Sequence, residues 1–288
     1  MTNAPVEIIT PTQIRDILSR MGEAGPKKGL AQHFLINGGS LGKVVRAGDI
    51  TSGDIVIEVG PGLGVLTAQL VRRAGKVIAI EIDNALCDYL RERFADAPNL
   101  RVINHNIMGA ALESLFEPGD ESKPYKVIAN LPYYIAPAVV RRFMESLHPP
   151  TLLVVMVQKE VAQNMVAQPG RGRSMLSVAV QMYGSPKIVG DVKPGAFYPP
   201  PNVDSSIVRI DVFPEPALNV ASQKEFFRVV GAGFHNARKQ IRNSLSLGLE
   251  METADVEAAL ARAGIDQTRR AETLKLAEWG KIYEALRH

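Results

Sequence analysis

From residue 54 onward, short and nearly unbroken apolar runs alternate with stretches whose apolar residues recur every three or four positions. The runs at 54–59, 76–82, 100–104, 125–130 and 152–158 predict strands, and the stretches at 65–73, 85–95, 109–116 and 136–147 predict helices. Near-continuous apolar strands separated by helices indicate a parallel sheet covered on both faces. Two further runs, 176–183 and 206–212, predict strands with no clear helix between them, as in an antiparallel edge. Pro214-Glu215-Pro216 ends this pattern. After it only helical periodicity remains, at 223–234, 239–247, 254–263 and 271–286, with Thr253 and Thr273 as expected N-caps and Gly264 as a C-cap. Residues 1–26 read as a short extension with one amphipathic helix around 12–21. The expectation is a doubly wound α/β domain over residues 27–213, followed by a small helical domain over 214–288.

Composition narrows the class without choosing within it. Of the 288 residues, 46% are hydrophobic and 22% charged, as in soluble globular chains. The longest apolar runs, such as 152–157, are too short to span a bilayer. Glu7 and Asp16 interrupt the first twenty residues, so no secretory signal is expected there. The single cysteine, Cys87, excludes an internal disulfide, fits a reducing cytoplasm, and sits in a helical pattern that suggests core packing. A net charge of +3 permits nucleic-acid binding but does not argue for it.

The first expected strand runs into Glu58-Val59-Gly60-Pro61-Gly62-Leu63-Gly64 and then a helix, and the second ends at Glu81. Glycines there let the backbone turn sharply and approach a ligand, and an acid at the second strand end can accept from ribose hydroxyls. Val65 stands where a dinucleotide fingerprint has its third glycine, and no Gly-Lys-Ser/Thr follows. S-adenosylmethionine lacks a pyrophosphate and tolerates an acid such as Glu58 near its cationic end, so it fits better than NAD. A glycine turn that merely packs strand on helix remains the plain alternative.

The fourth expected strand ends in Asn130-Leu131-Pro132-Tyr133-Tyr134. In a doubly wound sheet this turn lies beside the first strand, at the carboxyl edge where ligands bind. Its residue types suit methylation of an exocyclic adenine amine, whose lone pair is delocalised into the ring. The Asn130 carboxamide oxygen and the Leu131 carbonyl could both accept from that NH2 and hold the lone pair toward an incoming methyl. Pro132 would fix the turn, and Tyr133 would offer a ring to the base. An ordinary strand-to-loop turn is the alternative.

Together these segments resemble the ribosomal RNA small-subunit adenine N6,N6-dimethyltransferase family, over nearly the whole chain after residue 26. The resemblance includes Lys27-Lys28-Gly29-Leu30-Ala31-Gln32-His33-Phe34-Leu35, Glu58 to Gly64, Glu81-Ile82-Asp83 and Asn130 to Tyr134. It continues in Phe197-Tyr198-Pro199-Pro200-Pro201-Asn202-Val203-Asp204-Ser205 and in the basic stretch from Phe234 to Leu245. It implies a Rossmann-like class I S-adenosylmethionine methyltransferase domain with a small C-terminal helical domain. Cofactor contacts would come from His33, Leu35, Gly60, Gly62, Glu81, Asn106 and Asn130. Phe197 would stack on the target base opposite Tyr133. The implied substrate is a pair of adjacent adenosines in a hairpin loop near the 3′ end of small-subunit ribosomal RNA, each receiving two methyls. Small-subunit RNA within an assembling subunit would be the partner of a monomeric, cytoplasmic enzyme that needs no metal. Two positions depart from the family: His33 stands for a usual Asn, and Asn106 for a usual Asp whose charge would strengthen a hydrogen bond to the cofactor's adenine.

Residues 214–288 hold 11 Lys+Arg and 10 Asp+Glu, so any RNA contact must rest on clustering. Arg238, Lys239 and Arg242 have no acidic neighbour in sequence between Arg228 and Leu249, and helical continuity would put 238 and 242 on one face for phosphates. Arg171 and Arg173, in a glycine-rich turn, form a second basic pair. Competing readings are a methyltransferase of large-subunit RNA, an assembly factor with residual catalysis, and a relative of mitochondrial transcription factors.

Overall fold

The computed structural model describes residues 8–30 and 32–287; Ala31, His288 and the first residues of the expected extension, 1–7, lie outside the described residues. The chain divides into two compact units: residues up to Ala162 with Lys187–Val212, and Gln163–Pro186 with the residues from Phe213 on. Relative to the expected boundaries at 26 and 213, residues 8–26 fall in the first unit and 163–186 in the second.

The first unit opens with α1 (Pro11–Arg20), started by a capping box in which Thr10 and Gln13 satisfy each other's backbone amides. Its Ile14 and Leu18 are buried in the core cluster with Leu41 and Val44, so this helix is part of the domain and not an appendage. Then come β1 (Phe34–Leu35), α2 (Gly38–Ala47), β2 (Ile55–Val59), α3 (Thr67–Val71), β3 (Lys76–Glu81), α4 (Asn84–Arg93), β4 (Leu100–Asn104), β5 (Tyr125–Asn130), α5 (Ala136–Met144) and β6 (Leu152–Gln158). After α6 (Lys159–Val166), which crosses into the second unit, the chain returns as β7 (Gly184–Val192), β8 (Phe197–Tyr198) and β9 (Ser205–Val212).

The main sheet has seven strands in the order β4-β3-β2-β5-β6-β9-β7. Strands β2 to β6 pair in parallel, and β9 runs antiparallel to β6 from Leu152↔Asp211 to Gln158↔Ser205. All five residues of β2 are buried, as a strand covered on both faces requires. Because β3 lies on one side of β2 and β5 on the other, the chain reverses direction of winding there and opens a crevice at the strands' carboxyl ends. The edge strand beyond β9 is β7, which the apolar pattern does not reveal because it is largely half-buried or exposed. The stretch at 109–116 forms only a 3-10 turn at Leu112–Leu115. Helix α2 also escapes the pattern, since Gly38, Gly39 and Gly42 lower its propensity. It forms because Asn37 caps it, accepting from the Ser40 amide at 2.8 Å, and because Leu41 and Val44 are buried.

In the second unit the expected strand at 176–183 is a helix, α7 (Met175–Tyr183). Its β-branched and apolar residues are buried nearly all round, and packing against neighbouring helices overrides their strand preference. Around it lie α8 (Gln223–Phe234), α9 (Ile241–Leu249), α10 (Thr253–Ala263) and α11 (Leu276–Leu286). Their core holds Phe226, Trp279 and Tyr283, with Phe226 edge-on to Tyr283 at 5.9 Å. Gly264 closes α10 in the left-handed conformation at φ 68°. The expected N-caps shift: Glu252 holds the N-cap position of α10 without a side-chain bond, Thr273 ends a separate 3-10 turn, and at the N-cap of α11 the Lys275 backbone amide donates to Glu278 Oε2 at 2.6 Å.

Candidate active site

A cleft of about 190 Å³ opens at the carboxyl ends of β2, β3, β4 and β5, walled on one side by Leu30 and residues 32–35. The loop after β2 carries Gly60, Gly62 and Gly64 at φ 69°, 57° and 78°, a backbone open to glycine and strained for other residues. Their roles differ. A Cβ on Gly60 would stand 3.5 Å from Pro132 in the space between loop and turn, whereas one on Gly64 would drive into Phe94 and Leu90 at 2.7 and 2.8 Å. Gly60 therefore keeps the cleft open, and Gly64 lets α4 pack.

Glu81 is buried, and its carboxylate accepts from three backbone amides: Ile82 at 2.9 Å, Asp83 at 3.1 Å and Gly62 at 3.2 Å. Of about four acceptor positions on a carboxylate this leaves about one, on Oε2, for a further donor. Burial pushes its pKa up, and the three amides pull against that shift. Glu58 is 1% exposed and bonded by the Thr67 hydroxyl at 2.7 Å. Burial pushes its pKa to about 8; the Thr67 bond opposes the shift and the nearby Glu81 charge adds to it.

Asn130 lines the cleft at the end of β5. Its Nδ2 donates to the His33 carbonyl at 3.3 Å. A carbonyl can only accept, so this contact orients the carboxamide and leaves Oδ1 as an acceptor. His33 also donates through Nδ1 to the Pro199 carbonyl at 2.7 Å and stacks on Tyr133, with centroids 5.8 Å apart and planes at 23°. The Tyr133 hydroxyl meets Ser205 Oγ at 2.6 Å, and burial raises its pKa. Leu35, Gly60, Gly62, Asn106, Leu131 and Pro132 also line the cleft. Asn106 Oδ1 already accepts from the Met108 amide at 3.0 Å, leaving one lone pair on that oxygen.

Two expectations need correction. Phe197 does not reach the cleft: it is 2% exposed, pairs with Leu35 across β1 and β8, and packs its ring into the core. It is not half of an aromatic clamp in this structure. Arg238 and Arg242 do not share a helical face, because Arg238 and Lys239 occupy the turn before α9 and Arg242 lies in its first turn. Arg242 is also paired with Glu257 of α10 at 2.8 Å, a partner brought near only by the fold. Arg238 and Lys239 are exposed. Within the same unit the Ile241 amide donates to the Arg269 carbonyl at 2.6 Å, and the Gly170 amide to the Glu272 carbonyl at 2.7 Å. Those bonds bring the segments bearing exposed Arg270 and Arg171 near one another, and pattern reading overlooks Arg270 because Asp266 and Glu272 flank it. Arg173, by contrast, is buried, donating to the Ala167 carbonyl at 3.1 Å and Gln181 at 2.9 Å.

Asp83, part of Glu81-Ile82-Asp83 but given no role by sequence reading, is the hub beside the cleft. It accepts from Lys27 at 2.9 Å and Gln32 at 3.1 Å, and caps α4 through the Ala85 amide at 3.1 Å. The acid–any–acid spacing of Glu81 and Asp83 was its only signal. Among the described residues no group of three or more His, Cys, Asp or Glu side chains could hold a metal ion. No helix of the described residues is long and apolar enough to cross a membrane.

Comparison with known proteins adds an independent line. The family model described as ribosomal RNA adenine dimethylase matches residues 25–288. The ribosomal RNA small subunit methyltransferase A of Dehalococcoides mccartyi (strain ATCC BAA-2266 / KCTC 15142 / 195) is 48% identical over 253 residues, covering 88% of this chain and 86% of that protein. Its namesake in Alkaliphilus oremlandii (strain OhILAs) is 39% identical over 277 residues, covering 96% of each. Among solved structures, a dimethyladenosine transferase from Plasmodium falciparum is similar with a TM-score of 0.72 at 25% identity, over 87% of this chain and 96% of that one. The 23S rRNA methyltransferase ErmE is similar with a TM-score of 0.66 at 28% identity, over 88% of this chain and 100% of that one.

Proposed function

This chain belongs to the ribosomal RNA adenine dimethylase family, and we propose that it dimethylates the N6 amino groups of two adjacent adenosines in a hairpin loop near the 3′ end of small-subunit ribosomal RNA. Its fold is the doubly wound, Rossmann-like class I methyltransferase fold with C-terminal helices. The methyl donor in this reading is S-adenosylmethionine, and the setting is an assembling small subunit in the cytoplasm. The observation that carries the reading is the anchored Asn130 carboxamide, whose Nδ2 is spent on His33 so that Oδ1 is left to receive a donor.

The cleft suits that donor. Glycine backbone without a side chain leaves room at Gly60, Gly62 makes way for the Phe34 ring that walls the cleft, Glu81 retains an acceptor for a ribose hydroxyl, and Glu58 supplies a buried carboxyl near a cationic group. His33, Leu35, Asn106 and Asn130 complete the contacts proposed for it. When bound, S-adenosylmethionine supplies an electrophilic methyl group. The chain's own residues do the rest. Asn130 Oδ1 and the Leu131 carbonyl accept hydrogen bonds from the two N–H groups of the adenine amine and aim its lone pair. Pro132 restricts the turn that presents the carbonyl, and Tyr133 supports the base. No general base is required, because the methylated amine is acidic and loses its proton readily.

Arg238 and Lys239, with Arg270 and Arg171 on neighbouring segments, would hold RNA phosphates; Arg242, held by Glu257, would contribute less. The relatives named for the small subunit, at 39–48% identity, favour that substrate over large-subunit RNA. The test is mass spectrometry of undermethylated small and large subunits after incubation with the wild-type protein and with Asn130→Ala. Dimethyladenosine should form on the small subunit only. Asn130→Ala should nearly abolish it while cofactor binding stays within a few-fold. Wild-type turnover by Asn130→Ala would sink the mechanism, and methylation confined to the large subunit would sink the substrate assignment.

A further inference from the structure

Four aromatic side chains belong to the Asn130–Tyr134 turn and the Phe197–Ser205 segment, and only Tyr134 among them stands open to solvent without a ring or core partner: Tyr198 packs against the core with Arg15 over its ring. Tyr133 has its hydroxyl tied to Ser205 at 2.6 Å and its ring stacked on His33 at 5.8 Å. Phe197 is 2% exposed and part of the core. Tyr134 lines the same cleft, is 60% exposed, and has no ring partner among the described residues. Its backbone is not slack. The Ile135 amide donates to the Pro132 carbonyl at 3.2 Å, and the Val139 amide to the Ile135 carbonyl at 2.9 Å, so Tyr134 stands on a turn locked into the start of α5. A large ring held out into water on a fixed turn gains nothing from the fold. It gains a great deal if an unpaired base covers it, because every base offers a π-face to stack.

Resting on the adenine dimethylation reading above, we propose that Tyr134 is a specificity-determining residue that stacks on the unpaired nucleobase flanking the target adenosine. The division of labour follows from position. Asn130 and Tyr133, deeper in the cleft, address the base being methylated. Tyr134, at the exposed rim, addresses its neighbour in the RNA strand and so selects substrates whose target lies in a single-stranded, stackable context. The ring's polar hydroxyl is not needed for this; its flat face is.

The test compares wild type, Tyr134→Ala and Tyr134→Phe on undermethylated small ribosomal subunits, with cofactor affinity and melting temperature measured alongside. A flanking-base contact is made equally in the ground and transition states, so its loss raises KM and spares kcat. Tyr134→Ala should raise KM for the subunit roughly ten-fold, within the range a base–aromatic stack supplies. It should leave kcat within two-fold and cofactor binding and melting temperature unchanged, and Tyr134→Phe should behave as wild type. An unchanged KM, a loss of kcat alone, or a parallel loss of cofactor affinity would each overturn the proposal. If the wild-type protein leaves small subunits unmethylated, the functional reading itself falls and takes the proposal with it.

Discussion

Replacing Glu58 with Gln should stabilise the protein, and by more as the pH rises. The carboxyl is 1% exposed at the end of β2, with its pKa raised from an ordinary 4.5 to about 8, first by burial. The folded state therefore keeps a proton that the unfolded chain releases above pH 4.5. The stability this group contributes is fully present below pH 4.5, declines by about 1.4 kcal/mol per pH unit above it, and is lost once the pH has passed about 8. The total is about 5 kcal/mol, comparable to the whole stability of many domains. The glutamine carboxamide would imitate the protonated acid at every pH, and its oxygen can still accept from Thr67. Its advantage over wild type should then grow from about 1 kcal/mol at pH 5 to about 3 at pH 7 and about 5 above pH 9. An amide hydrogen left without an acceptor would subtract a constant of about 1–3 kcal/mol without changing the slope. Urea unfolding of both proteins across pH 5 to 9 reads the difference directly. Parallel stability curves would refute the reasoning, since they would mean that Glu58 titrates alike in both states.

Phe197→Ala should cost about 3–5 kcal/mol of folding stability, as a large buried ring does, without a selective loss of RNA affinity; thermal unfolding beside RNA binding separates this from a clamp role. Neutralising Arg238 and Lys239 together should weaken RNA binding and lower its salt slope by about 0.7–0.9 for each phosphate no longer neutralised, whereas Arg242→Ala, already held by Glu257, should barely move the slope. Equal slopes for both variants would contradict this ranking. Asp83→Asn keeps the cap on α4 and removes the charge facing Lys27, so cofactor affinity by calorimetry should fall a few-fold at low salt and less at high salt. A loss independent of salt would point away from the ion pair.

The parallel strands at the middle of the sheet were legible because they are buried on both faces, and such strands must read as unbroken apolar runs such as Ile55–Val59 and Leu152–Gln158. The cleft followed from the same pattern, since Gly60, Glu81 and Asn130 each sit where a parallel strand ends. These features depend on local residue order, which a sequence displays. What local order could not display was decided by packing. The segment Met175–Tyr183 has the residues of a strand, yet it is a helix because it is buried among other helices. Phe197 has the look of an exposed clamp, yet its ring fills the core because the pairing of β8 with β1 turns it inward. Arg242 is free of acids for many residues along the chain, yet Glu257 reaches it from the next helix. Asp83 becomes a hub only when Lys27 and Gln32 fold over it. Burial and charge pairing are relations between residues distant in sequence, and only the tertiary structure sets them.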